Sequence, residues 1–222
     1  TEINDILLTA LAYALNNTTN ADKQLINLEG HGGEQIIDNV DISRTVGWFT
    51  TAFPVVLDLN NKNDLSFNIR AVKEKLRAIP NKGIGYGILK YLSGYKAELT
   101  RKPQLSFNYL GQFDADANRG SFIPSGISAG SPVNEHSARP YSIDINAIVS
   151  AGKLIINLNY NKNQFAEEVM MKLLSDFKKH LLLIIEHCIS KEDSTSTPSD
   201  FTYNNLSIQQ LADLEDDLAD LL

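Results

Sequence analysis

The stretch YSIDINAIVSAGKLIINLNYN, residues 141–161, alternates apolar and polar side chains on both sides of the dipeptide Ala151-Gly152. A period of two on each side of a short turn predicts a β-hairpin, with one row of side chains on each face. A hairpin is antiparallel, which disfavours a simple doubly wound parallel sheet. Its surroundings decide the rest. Ile3, Leu7, Ala10, Leu11 and Ala14 recur at helical spacing, the turn-rich NNTTNADK at 16–23 ends that helix, and LINL at 25–28 reads as a strand. DISRTVGWFTTAFPVVLDL at 41–59 is rich in β-branched and aromatic residues and contains Pro54, so it reads as extended chain with an irregular centre. Leu65, Ile69, Val72, Leu76 and Ile79 form a second amphipathic helix stopped by Pro80. PNKGIGYG at 80–87 opens a third, with Leu89, Leu92, Tyr95 and Leu99 spaced to face a core, and PQLSFNYLGQFD at 103–114 is a strand. The resulting order of helix, strand, helix, helix, strand, hairpin, helix is that of an α/β fold with a mixed sheet flanked by helices.

After the hairpin, Val169, Leu173, Phe177, Leu181, Ile184 and Cys188 trace one stripe of a long helix over 165–189, with Lys172, Lys178 and Lys179 outward. Within it LLLIIEHCI, residues 181–189, reads as buried helix, interrupted by Glu186 and His187 and too short to span a bilayer. Residues 1–190 therefore form the main body, 191–206 a polar linker, and 207–222 a separate acidic amphipathic helix. Ser207 and Gln210 make a capping-box pattern ahead of Ile208, Leu211, Leu214, Leu218 and Leu221. Asp213, Glu215, Asp216, Asp217 and Asp220 give that helix a wholly negative polar side. So short a helix is marginal alone, and it either docks on the body or meets a partner groove with basic edges. Residues 114–140 read as one long loop rich in Gly, Ser, Pro and Asn.

With 222 residues, 43% hydrophobic, the chain can bury a substantial core. Its net charge of −7, without basic-aromatic clusters, argues against a nucleic-acid surface, and the patterning argues against a membrane partner. Cys188 is the only cysteine, and it makes no metal-ligand spacing with His31, His136, His180 or His187, so no metal is expected. A reducing, cytoplasmic setting fits. The sequence starts at Thr1 directly in a helical pattern and reads as a piece of a longer chain.

The stretch LEGHGGE at 28–34 sets a carboxylate and an imidazole among three glycines, and local physics allows both a plain turn and a working acid/base group. PNKGIGYG lacks the lysine and serine or threonine of a P-loop, so a packing or hinge loop is the better reading there. Taken together, EGHGGE at 29–34, SRTVGWFTTAFPVVL at 43–57, PNKGIGYG at 80–87 and FNYLGQFD at 107–114 resemble, in order, signature motifs of epimerization domains of nonribosomal peptide synthetases. TPSDF at 197–201 resembles the family's closing segment. Such domains are V-shaped pairs of lobes similar to chloramphenicol acetyltransferase, and the N-terminal lobe carries an HHxxxDG-type motif. No adjacent histidine pair occurs here, so the resemblance is to the C-terminal lobe, with INDILLTAL at 3–11 matching the segment that leads into it.

The resemblance implies an isomerase that converts an L-aminoacyl or peptidyl thioester to the D form by removal and return of the α-proton. The substrate hangs from the phosphopantetheine arm of a partner carrier domain, and no cofactor bound by this chain is implied. Glu29 matches the motif glutamate and is expected to face a histidine of the upstream lobe. Asn108 and Tyr109 match the pair placed near the reaction centre. Alternation along a strand lets only one of them reach it directly, and Tyr109 is favoured, with Asn108 as a structural hydrogen-bonder. His31 and Gly32 are expected at the substrate, His31 chiefly fixing backbone. Burial beside Leu28 and Trp48 is expected to raise the carboxyl pKa of Glu29. Trp48, Phe49 and Phe53 read as core, and Arg44 as a partner of a carboxylate such as Asp41. Gly33 stands where the family usually has arginine, which points to lower activity or a replacement cation such as Lys82 or Arg44. A condensation domain forming peptide bonds, or a lobe that only docks carrier and downstream synthetase, are the alternatives. The fragment alone is expected to be inactive, lacking half of the acid/base pair.

Overall fold

A computed structural model describes residues 1–34, 36–59, 61–93, 101–112, 127–128, 130, 134, 137–191, 194–203 and 205–219. Helix α1 (Ile3–Thr19) leads into strand β1 (Lys23–Gly30), then β2 (Thr51–Asp58), α2 (Leu65–Arg77), a 3-10 turn (Pro80–Gly83) and α3 (Ile84–Tyr91). Strands β3 (Leu105–Gln112), β4 (Ile143–Ser150) and β5 (Lys153–Tyr160) follow, then α4 (Glu167–Ser190), a second 3-10 turn (Pro198–Asp200) and α5 (Ile208–Ala219). The five strands lie in the order β2-β1-β3-β4-β5. The two central pairings, β1 with β3 and β3 with β4, are parallel, and the outer two are antiparallel.

The mixed sheet flanked by helices is the architecture that the hairpin predicts. Ala151 and Gly152 carry φ of 50° and 68°. Two successive positive φ values match the right-handed twist of the flanking strands, which is why this turn closes the hairpin. Pro54 is tolerated because β2 is an edge strand. On one face Ile26, Leu28, Leu105, Phe107, Ile143, Ile145 and Ala147 are buried, and α1 and α4 supply Leu7, Leu8, Leu11, Leu173, Phe177 and Ile184 to the same core. The Phe107 and Phe177 rings meet edge to face at 6.5 Å. Alternation puts Asn27, Glu29, Ser106, Asn108, Asp144 and Asn146 on the opposite face, which is polar.

Several elements differ from the sequence reading, each for a local reason. Helix α1 runs through the turn-like NNTT to Thr19. The Thr18 and Thr19 hydroxyls donate to the carbonyls four residues back, Asn16 reaches Ala21 and Asp22, and Asn20 closes the helix with φ 57°. Within 41–59 only Thr51–Asp58 is strand. Helix α3 buries no residue, and Leu89 and Leu92 are exposed, while Tyr95 and Leu99 lie outside the described residues. Most of the predicted 114–140 loop also lies outside them. On α4 the buried stripe is Met170, Leu173, Phe177, Leu181 and Ile184, whereas Val169 and Cys188 are exposed. One side only of 181–189 is buried, because the helix contacts the body along a single stripe and leaves Leu182, Leu183, Ile185 and Ile189 exposed.

The stretch read as a linker is partly bound to the body. Thr197 and Pro198 are buried, the Lys73 Nζ donates to both carboxylate oxygens of Asp200 at 2.6 Å, and Ser199 donates from its backbone and hydroxyl to Glu74. Beyond it, the reciprocal bonds of Ser207 and Gln210 form as the capping box predicts, and Leu211 is buried while Leu214 and Leu218 are exposed. Leu221 and Asp220 lie outside the described residues. Among the described residues no helix is long and apolar enough to cross a membrane.

Candidate active site

Glu29 is the penultimate residue of β1, where the sheet gives way to the glycine loop. Its neighbour across the parallel pairing follows from the register: Leu28 pairs with Phe107, so the next step sets Glu29 beside Asn108 on the polar face. The Asn108 Nδ2 donates to Glu29 Oε2 at 2.9 Å. A half-buried carboxylate is thus held by an amide from the adjacent strand. Burial raises the carboxyl pKa of Glu29 from its ordinary value, and the negative charge of Asp144 on β4 adds to the rise. The direction and its main cause, burial, are the expected ones, and Asp144 is an addition. Leu28 lines the same cavity as Glu29, whereas Trp48 is 91% exposed and does not shield the carboxylate.

Tyr109 leaves β3 on the core face, at the cavity that Glu29 also lines. It packs with Phe107 against the core and lines this cavity of about 300 Å³ together with Glu29, His31, Leu8, Leu76 and Ile79. Asn108 is the side chain hydrogen-bonded to Glu29, while Tyr109, the one favoured from the sequence, lines the same cavity as Glu29. His31 does not meet the Glu29 carboxylate through any bond of its own among those formed. Its side chain is 72% exposed, Nε2 pairs with Glu34 at 3.0 Å, and Nδ1 accepts from the Gly33 N–H at 3.0 Å. That is a backbone-fixing role. Gly32 has φ 69°, and a Cβ there would lie 1.5 Å from the Phe49 carbonyl oxygen, so close packing of the loop requires glycine.

Of the two replacement cations, Lys82 lines the same cavity as Glu29. Lys82 pairs with Glu34 at 3.1 Å, and Arg44 is exposed. Asp41 accepts from the Ser43 N–H instead of pairing with Arg44. Of the aromatic residues read as core, Phe53 is buried but Phe49 and Trp48 are exposed, because the described residues of 31–50 form no strand or helix to hold them inside.

Two groups missed by the sequence reading, Asp144 and Tyr141, interact electrostatically with Glu29, and a third, Arg139, binds Asp144. Asp144 shares the sheet face of Glu29, Arg139 grips Asp144 through Nη2 at 2.6 Å, and the Tyr141 phenol is pushed up by burial and by the charges of Glu29 and Asp144. The alternating polar position of Asp144 in YSIDIN was visible, but its proximity to Glu29 depends on strand order. A second cleft of about 760 Å³ is lined in part by Asn27, Ala52, Tyr86, Tyr91, Lys90 and Tyr141, whereas Glu29 itself lines the 300 Å³ cavity. Ala52 is the strand partner of Glu29, and Asn27 lies one step below it on the same face. The volume suits a small-molecule substrate. Chemically, the arrangement offers one carboxyl group able to take and return a proton, held by an amide, in a cavity it lines with Tyr109 and His31.

A condensation-domain family model matches residues 1–207. The chain is 47% identical to gramicidin S synthase 1 of Brevibacillus brevis over its whole length and 21% of that protein. It is 44% identical to surfactin synthase subunit 2 of Bacillus subtilis, again over its whole length but only 6% of the relative. Among solved structures, the epimerization domain from the third module of tyrocidine synthetase B superposes with a TM-score of 0.78 at 42% identity. That match covers 86% of this chain and 43% of the other. The chain thus spans about a fifth or less of the length of these synthetases. On the extent of the family match and the shared mixed-sheet fold, the chain belongs to the condensation-domain family of peptide synthetases.

Proposed function

We propose that the chain is the C-terminal lobe of an epimerization domain and that Glu29 is one of its two acid/base groups. The substrate is an aminoacyl or peptidyl thioester on a carrier domain. Glu29 removes or returns the proton on the α-carbon, and a group from the other lobe acts on the opposite face. The thioester acidifies that carbon, so the tasks left to this lobe are to hold the carboxylate and to favour the enolate.

The observation that carries the reading is the bond from Asn108 to Glu29 on the half-buried polar face. Two motifs 79 residues apart meet there. An amide has two N–H donors, so the second remains for the substrate or its enolate oxygen. The raised carboxyl pKa of Glu29 supports it, since a proton shuttle works best when its affinity approaches ambient pH. The hydrogen-bonding groups of Asn27, Thr51, Tyr86 and Tyr141 in the cleft suit the amides of a pantetheine arm. The similarity to the tyrocidine synthetase epimerization domain supports the choice within the family.

A second reading, peptide-bond formation, is favoured by the family model itself, which describes a condensation domain. Chiral analysis of the thioester product, after the complete two-lobe domain is incubated with its loaded carrier, separates the two. Mixed stereoisomers support epimerization, and a new amide bond between two carriers refutes it. We also propose that α5, whose Asp213, Glu215, Asp216 and Asp217 are exposed, meets a basic groove on a downstream synthetase.

A further inference from the structure

On the polar face, Asn27 and Glu29 of β1 flank β3 on one side, and Asp144 and Asn146 of β4 flank it on the other. Ser106 pairs with both Asn27 and Asp144, so Glu29 stands two strands and two residues away from Asp144. With strands about 4.8 Å apart and a rise of about 3.3 Å per residue, the Cα atoms are on the order of 12 Å apart, and both side chains leave the sheet in the same direction. The carboxylates therefore share one low-lying polar surface.

Asp144 is not a bare charge. Arg139 Nη2 bonds its Oδ2 at 2.6 Å, and Arg139 Nε donates to the Tyr141 carbonyl at 3.3 Å, which pins the guanidinium to the chain that enters β4. The other charged groups around Glu29 are paired with other carboxylates, among them Glu34, which lines the same cavity as Glu29. His31 and Lys82 both bind Glu34, and Arg77 binds Glu2 and Asp5. From β3 comes the neutral Asn108, from the segment before β4 the Tyr141 phenol, and from α3 Tyr86, Tyr91 and Lys90, with Lys90 lying 5.4 Å from both tyrosine ring centres. Among these cations Arg139 is the one bound to a carboxylate on the same sheet face as Glu29.

We propose that Asp144 and Arg139 act as a paired positioning device for Glu29, Asp144 supplying and Arg139 limiting the negative field in which Glu29 exchanges its proton. The pair touches no reacting atom and acts through Glu29. It rests on the reading of Glu29 as an acid/base group only for its consequence in catalysis; the electrostatic effect stands by itself. The two members have opposite signs. Removing Asp144 makes Glu29 release its proton more readily, and removing Arg139 leaves Asp144 uncompensated, so Glu29 holds its proton more tightly.

The test is a carbon-13 NMR titration of the Glu29 carboxyl in the wild-type chain, Asp144→Asn, Arg139→Gln and the double variant. The Glu29 midpoint is expected to fall by about half a pH unit in Asp144→Asn and to rise by a similar amount in Arg139→Gln, as unit charges at this separation in a half-wet site produce. In the double variant the two opposite shifts should largely cancel. Equal midpoints, or shifts of the same sign in both single variants, overturn the proposal. If Arg139→Gln does not fold, the fall in Asp144→Asn decides, and its absence is a refutation. In the two-lobe domain with loaded carrier, the acid limb of the α-proton exchange rate should move with the same signs. Opposite NMR shifts with an unmoved acid limb refute the catalytic role of Glu29 and leave the field effect standing.

Discussion

Asp200→Asn probes the tether that holds the segment after α4 on the body. The Lys73 side chain is 7% exposed and gives its ammonium to Asp200, whose own side chain is 44% exposed. Asp200 also accepts from the Thr197 N–H and hydroxyl at 2.9 and 3.1 Å. The Asn variant keeps one acceptor oxygen but leaves the buried ammonium without a counter-charge. Charged hydrogen bonds are worth about 1.5–3 kcal/mol, and the exposure of Asp200 reduces the Coulomb part, so the cost is set at roughly 2 kcal/mol. For a chain of this size that lowers the melting temperature by about 4–8 °C. The pH dependence has a definite sign. Lys73 holds the Asp200 carboxyl at about 2, below its ordinary 3.8. A depressed carboxyl stabilises the folded state above the ordinary value and loses that contribution as pH falls toward 2. Thermal melts of both proteins should therefore show a gap at pH 7 that closes between pH 4 and pH 2. In a Lys73→Met background, where no ammonium is stranded, Asp200→Asn should cost less than half as much. A gap under 1 °C at pH 7, or one that persists unchanged at pH 2.5, refutes the reasoning.

Three further outcomes follow from the packing and the loop. Phe177→Ala removes a fully buried ring that meets Phe107 and should destabilise by about 3–5 kcal/mol in urea titrations. Gly32→Ala places a methyl against the Phe49 carbonyl in a left-handed conformation, and should cost about 1–3 kcal/mol with amide chemical-shift changes centred on residues 31–50. Asp216→Lys with Asp217→Lys, both exposed on α5, should weaken association with the downstream synthetase more at low salt than at high salt, while unchanged affinity removes the docking role.

What was legible in the sequence is what short-range periodicity controls. The hairpin at 143–160 and helix α2 rest on alternation, on helical spacing, and on turn or stop residues a few positions away, so their local chemistry announces them. Glu29 and Asn108 could be named from motifs, but which of Asn108 and Tyr109 meets Glu29 depends on the β1–β3 register, a long-range pairing that leaves no periodic mark. The same limit hid Arg139 and Asp144. Burial was misjudged where an apolar residue had no partner to bury against, as with Trp48 in the irregular loop and Leu182 on the outer side of α4. The Asp5–Arg77 pair, which joins a fully buried carboxylate of α1 to α2, was equally invisible, because it joins charges 72 residues apart.

The central claim is that Glu29 exchanges the substrate's α-proton. Its most direct measurement is mass-spectrometric uptake of deuterium at the α-carbon of the carrier-bound thioester in heavy water, comparing the two-lobe domain with its Glu29→Gln variant. The account predicts that washed-in deuterium drops at least about a hundredfold in the variant, the usual contribution of a positioned acid/base group. Wild-type uptake by a folded Glu29→Gln domain contradicts it.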